Sequence, residues 1–273
     1  MKKLLVFFLL LFAQVTFADI ILVSDRLNFT DSDIISTETV KKKVLHFSGV
    51  ESIDDREWLE AIAGKEVAVL IHGYNNAYDE ALDFCSKIIK RSEHLYDTFI
   101  CYLWPGGDQS IDYFDAQDNV AGILPARLLK IIEDLDEFAE SADIFAHSLG
   151  CRIALDMLRY PSGILIRNAF LWAAAVDNES LEEAEIYHDA SRKCEYVFVF
   201  HSRNDKVLGW AYPIVHFDRA LGGKGAEDSI ELLDHVYQID CTPYVESHGA
   251  YADSKFVFRA ISYVLSPVFR GES

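Results

Sequence analysis

Ten residues, Asp143-Ile144-Phe145-Ala146-His147-Ser148-Leu149-Gly150-Cys151-Arg152, constrain this chain more than any other stretch. An apolar run suited to a buried strand leads into a turn of small residues with a serine at its apex, and a helix-forming segment follows. Such a turn lifts the serine oxygen above the sheet and aims it at the free N–H groups of the helix, the layout of a nucleophile elbow. The usual pattern is Gly-x-Ser-x-Gly. Here Ala146 takes the first glycine position, so one methyl must fit where strand and helix come closest. A serine at an ordinary helix N-cap would give nearly the same local sequence. What separates the two readings is whether an acid and a histidine follow in order, and whether an oxyanion-binding turn precedes.

The rest of the chain alternates between strand-like and helix-like segments. Apolar runs at 20–23, 43–47, 67–71, 98–103, 168–175, 195–200 and 235–239 read as strands, together with the run that enters the elbow. The polar stretch between the first two reads as a loop. Helical spacing is expected over 54–63, 77–90, 121–138, 149–158 and about 254–265. The run Val67-Ala68-Val69-Leu70-Ile71 is continuous and β-branched, as in a strand buried on both faces of a parallel sheet. Strict alternation over 273 residues predicts one α/β domain, 19–273, with a doubly wound, mostly parallel sheet and helices on both faces. Sites in such sheets lie beyond the carboxyl ends of the strands. Ser148, Tyr74, Asp177, Asp205 and His248 all follow expected strands, at that edge.

A serine hydroxyl is a poor nucleophile at neutral pH and needs a histidine to take its proton and a carboxylate to orient that histidine. Ser148, Asp205 and His248 occur in nucleophile, acid, base order. The Leu149 N–H, and the Tyr74 N–H in His72-Gly73-Tyr74-Asn75-Asn76, are the expected oxyanion donors. Asp177 also follows a strand and is the alternative acid. His235 sits at the wrong end of its strand, and His147, adjacent to the serine, reads as a pocket-wall or structural histidine rather than the base. The segment 206–229, with Trp210, Tyr212, Pro213 and Phe217, is an insertion that would either cap an apolar pocket or pack on the core. No metal or organic cofactor is expected: there is no His-Glu-x-x-His helix, and Gly222-Gly223-Lys224-Gly225 lacks the rest of a phosphate-binding loop.

At the amino end, Lys2 and Lys3 precede an apolar run from Leu4 to Ala13, and Ala18 offers a small residue before Asp19. This pattern predicts a signal peptide over 1–18 and a secreted or periplasmic protein; an uncleaved anchor is the alternative. With 44 acidic and 25 basic residues the formal charge is −19, which disfavours nucleic acid and anionic membrane surfaces as partners. The five cysteines show no Cys-x-x-Cys spacing, and most sit in apolar surroundings that suit buried free thiols.

Five blocks, Ile71-His72-Gly73-Tyr74-Asn75-Asn76, Leu103-Trp104-Pro105, Ala146-His147-Ser148-Leu149-Gly150, Ala174-Ala175-Val176-Asp177 and Ser202-Arg203-Asn204-Asp205, together resemble a mainly bacterial family of α/β-hydrolase-fold proteins once catalogued as a domain of unknown function. The resemblance spans roughly 20–265. It implies the α/β-hydrolase fold and the triad Ser148, Asp205 and His248, and it keeps Asp177 in a structural or catalytic place. It implies no substrate. The expectation is a serine hydrolase acting on a small-molecule or lipid-like carboxylic ester. The alternatives are an acyltransferase using the same triad and a non-catalytic binding or structural protein with a vestigial site.

Overall fold

The computed structural model describes residues 18–45, 49–107, 120–212 and 218–270. Residues 1–17 of the expected signal peptide 1–18, His46 and Phe47 of the expected second strand, and Pro213 and Phe217 of the insertion lie outside the described residues, as does the Trp210 side chain.

Nine strands form one sheet: β1 (Asp19–Arg26), β2 (Ile35–Leu45), β3 (Gly49–Ser52), β4 (Glu66–Ile71), β5 (Thr98–Leu103), β6 (Ser141–His147), β7 (Ile166–Trp172), β8 (Cys194–His201) and β9 (Val236–Asp240). Their order across the sheet is β3-β2-β1-β5-β4-β6-β7-β8-β9. The β1–β2 and β2–β3 pairs are antiparallel and all others are parallel, so the sheet is mostly parallel, as the alternation requires.

The interior strands are apolar on both faces because helices cover both. On β4, Val67, Val69 and Ile71 point into one core, together with Trp58 of helix α1 (Asp55–Ile62), Leu128 of a later helix over Leu124–Phe138 and Leu155 of one over Leu149–Leu158. Ala68 and Leu70, offset by one residue, point into the other core with Ile88 of α2 (Tyr78–Ser92) and Val257 and Ile261 of a last long helix (Lys255–Val264). We number these three later helices α3, α4 and α5. A capping box starts α1: Asp54 accepts from the Glu57 N–H while Glu57 accepts from the Asp54 N–H, both at 2.9 Å.

Three expectations are corrected. The second strand begins earlier than expected: β2 runs from Ile35 to Leu45, so that 35–42 of the polar stretch read as a loop are strand. Two of its lysines face aromatic rings: the Lys41 ammonium sits 4.3 Å over the Trp58 ring on one face, and that of Lys42 sits 3.9 Å over Phe29 on the other. Strand β7 ends at Trp172 rather than at 175, because Ala173 turns the chain with φ 47°. The four-residue edge strand β3 had not been expected.

Topology and register place the candidate site. From β4 the chain runs to β5 on one side, then crosses to β6 on the other, so the order reverses between β4 and β6. The carboxyl edge at such a reversal is where doubly wound sheets open a crevice. Ile71 pairs with Ala146, which brings the residues after β4 and those after β6 side by side.

Candidate active site

Ser148 follows β6 at φ 54°, ψ −123°, a conformation that non-glycine residues rarely adopt and that is held from both sides. Its N–H donates to the Trp172 carbonyl at 2.9 Å, and its carbonyl accepts from the Cys151 N–H at 3.0 Å and the Ala175 N–H at 3.2 Å. The hydroxyl is buried but faces the site. The Ala146 methyl causes no conflict, since the residue is fully buried in the apolar core below. The tight position is Gly150: a Cβ there would lie 2.4 Å from the His72 carbonyl oxygen and 2.9 Å from that of Ile71. Helix α4 meets the end of β4 there, with no space for a methyl.

The expected base and acid, His248 and Asp205, reach the serine from the far side. His248 lies in the loop after β9, its Nε2 2.8 Å from Ser148 Oγ and its Nδ1 2.7 Å from Asp205 Oδ2. Asp205 closes the turn after β8, its side chain fully buried, and its other oxygen accepts from the Leu208 N–H at 3.0 Å. The acid turn and the histidine loop are tied together: Ser202 Oγ donates to the Val245 carbonyl at 2.8 Å, and Asn204 Nδ2 to the Thr242 carbonyl at 2.8 Å. Asp177 is engaged elsewhere, accepting from the Tyr212 hydroxyl at 2.8 Å and bridging in the backbone to Ala220.

The loop after β4 lies against the elbow. A Cβ on Gly73 would sit 2.7 Å from His147 Nδ1 and 3.0 Å from Ser148 Cβ, so glycine is required for close approach. Asn75, in the left-handed region at φ 55°, donates its N–H to the Gly106 carbonyl at 2.9 Å. Two buried side chains brace this loop. Trp104 stacks on His72 with ring centroids 5.2 Å apart and donates its indole N–H to the His72 carbonyl at 2.8 Å. Arg26, at the end of β1, donates to the Asn76 carbonyl at 2.8 Å and lies 3.3 Å from His72 Nε2. Burial pushes the Arg26 guanidinium down to about 10 and holds the His72 imidazole well below its ordinary value, with Arg26 adding to the second effect. Among the described residues, the Leu149 N–H, first of α4, has no partner and is available to an oxyanion.

The sequence reading missed Arg26 and the bracing role of Trp104. The one local signal for Arg26 is a cation directly ending an apolar strand; its partner, fifty residues on, has no local trace. His147 also does more than line a wall. Its Nε2 lies 2.8 Å from the His248 carbonyl, and its ring is tilted against that of His248 with centroids 4.8 Å apart. Burial, and then His248, push the His147 imidazole down to about 3.

Within the insertion, Leu208, Tyr212 and Leu221 are buried against the core, and a Cβ on Gly222 would strike the Ala173 backbone at 2.2 Å. A cleft of about 490 Å³ opens at the amino ends of the strands, lined by Glu66, Asp136, Glu140, Arg167 and Glu195, across the sheet from Ser148. It holds no nucleophile positioned like Ser148, and we place no chemistry there. Among the described residues no group of three or more His, Cys, Asp or Glu side chains is arranged to hold a metal ion. No described helix is long and apolar enough to cross a membrane.

A model of the family described as alpha/beta hydrolase of unknown function (DUF900) matches residues 52–223. No curated protein matches the sequence significantly. Among solved structures, one from Thermus thermophilus is similar at 11% identity with a TM-score of 0.50, over 84% of this chain and 94% of the other. The fluorophosphonate-binding serine hydrolase F of Staphylococcus aureus is similar at 13% identity and a TM-score of 0.45, over 92% and 99%. An esterase of Exiguobacterium antarcticum is similar at 13% identity and 0.41, over 75% and 94%. The Thermus likeness is one of fold.

Proposed function

The chain belongs to this family of α/β-hydrolases of unknown function, and from that premise we propose that it is a serine hydrolase cleaving carboxylic esters through an acyl-enzyme on Ser148. The observation that carries the reading is the unbroken line Ser148 Oγ to His248 Nε2 at 2.8 Å and His248 Nδ1 to Asp205 Oδ2 at 2.7 Å. In this mechanism Ser148 Oγ attacks the acyl carbon as His248 Nε2 takes its proton. The Asp205 carboxylate keeps the proton of the His248 ring on Nδ1 and stabilises the imidazolium. The Leu149 N–H and the Tyr74 N–H receive the oxyanion of the tetrahedral intermediate. The imidazolium then gives its proton to the departing alkoxide. A water, deprotonated by His248, releases the acid and restores Ser148. An alcohol or amine acceptor in place of water would make the same site an acyltransferase. A vestigial, non-catalytic site calls for His248 far from Ser148 and no pocket above it, and the 2.8 Å contact speaks against the first of these.

The test is labelling with a fluorophosphonate probe alongside a series of chromogenic esters of increasing chain length. Labelling and turnover are expected in the wild type and absent in Ser148→Ala; labelling of that variant at the wild-type rate would sink the proposal. Export is part of the same reading, with residues 1–18 removed. The mass of protein recovered outside the cytoplasm checks that cut, and a retained leader would reject it.

A further inference from the structure

His147 and Ser148 are neighbours at the elbow, yet both reach His248. Ser148 meets its ring at 2.8 Å and His147 meets its main-chain carbonyl at 2.8 Å. We propose that His147 is a positioning residue whose Nε2–H holds the backbone of His248, so that one strand end fixes both the nucleophile and the seat of the base.

A carbonyl oxygen can only accept, so His147 Nε2 carries the proton. The ring is neutral, because burial and the adjacent His248 oppose its charge, and Nδ1 is therefore bare. That bare nitrogen faces Gly73, where a Cβ would come within 2.7 Å. The ring also packs against Phe84 with centroids 5.9 Å away, Tyr251 at 6.4 Å and the His248 ring at 4.8 Å, and the Asp205 carboxylate is near enough to act on its charge. His147 thus sits between the loop that carries Tyr74 and the loop that carries His248.

The histidine loop needs such an anchor. Residues 246–249 belong to no strand or helix. Among the described residues, the His248 carbonyl is the one main-chain group of that stretch bonded outside the loop; the Ser247 carbonyl is taken by the Ala250 N–H within it. Without His147, the nearest hydrogen bonds from the loop's main chain to the rest of the protein would be those of Thr242 and Val245, and the imidazole itself would keep only its two ring bonds, one of which must break and re-form during reaction. A catalytic group held loosely by even a fraction of an ångström loses rate well before it loses fold.

The kinetic part of this inference rests on the Ser148 chemistry proposed above; the geometric part does not. The experiment combines fluorophosphonate inactivation kinetics of the wild type, His147→Ala and His147→Gln with ¹⁵N NMR of the wild-type histidine rings. His147→Ala should slow the chemical step of inactivation by about 10–100-fold while probe affinity stays within about threefold. His147→Gln, which keeps an N–H donor, should recover most of that loss. Equal chemical rates in the wild type and His147→Ala, or a His147→Gln variant as slow as His147→Ala, would overturn the proposal. NMR should show a neutral His147 protonated on Nε2, and a ring protonated on Nδ1 would overturn it equally. If the wild type is not labelled at all, the serine hydrolase reading fails, while the NMR result still decides whether His147 holds the His248 loop.

Discussion

His248 Nδ1 lies 2.7 Å from Asp205 Oδ2. The other acid that the sequence allowed, Asp177, accepts instead from Tyr212 at 2.8 Å. The two carboxylates should therefore respond differently to neutral isosteric replacement. Asp205→Asn should keep the fold and lower kcat for ester hydrolysis by about 10³–10⁴-fold, because an amide in that position no longer selects the productive tautomer of His248. Asp177→Asn should leave kcat within about threefold and cost about 1 kcal/mol of stability through a weakened Tyr212 hydrogen bond. Paired measurements of hydrolysis rate and urea midpoint decide the matter. A large kcat loss in Asp177→Asn with a mild one in Asp205→Asn would reverse the assignment.

The interior strands were legible because strands covered by helices on both faces must be apolar on both, and β4 after Glu66 and β5 after Thr98 are continuous apolar runs. Strand β2 was not, because Lys41 and Lys42 face Trp58 and Phe29 with their ammonium groups over the rings and leave a polar sequence behind. At the site, the order of Ser148, Asp205 and His248 could be read because each falls just past a recognisable strand. The position of closest approach was not legible. Gly73 is needed for its contact with His147 and Ser148 rather than for an unusual backbone angle, and Gly150, not position 146, is where a methyl would collide. Arg26 and His147 act on residues 50 and 101 positions away, and nothing local encodes partners that the sheet order alone brings together.

Acid should weaken the fold through histidines held neutral. His72 is lowered by burial and then by Arg26, and His147 by burial and then by His248, to about 3. For His147 the unfolded chain, with an ordinary value near ~6.5, binds more protons than the folded one across the window from there down to about 3. Its contribution to stability is therefore complete above that window and is lost as pH falls through it, at up to ~1.4 kcal/mol per pH unit. Between pH ~7 and ~4.5 the wild type should lose about 2–3 kcal/mol more than His147→Gln, since carboxylate effects are common to both. Urea unfolding at the two values measures the difference, and equal losses would show that His147 is charged in the fold.

The opposite end of the nucleophile strand carries a separate load. Asp143, fully buried near the start of β6, accepts from Arg167 Nε at 2.9 Å and Nη2 at 2.8 Å, from the Tyr96 hydroxyl at 2.6 Å, and from the Asn168 backbone and side chain at 3.1 and 2.8 Å. Burial works against the charge on Arg167, but the Asp143 hydrogen bonds and charge, with Glu66 behind them, hold that guanidinium above its ordinary value. Arg167→Met would leave a buried carboxylate with neutral donors only. Stranding one partner of a buried pair costs about 3–5 kcal/mol. Five residues of extended chain put the Asp143 end of β6 about 16 Å from Ser148, and the elbow is fixed by its own bonds to Trp172 and Ala175. Arg167→Met should therefore unfold at lower urea while the protein that remains folded at low temperature is labelled by fluorophosphonate within about threefold of the wild-type rate. Asp143→Leu combined with Arg167→Met, which removes both charges, should recover part of the lost stability. A labelling rate that falls in step with stability would mean that the two ends of β6 do not act independently, and that the elbow is held by the strand as a whole rather than by the hydrogen bonds at its tip.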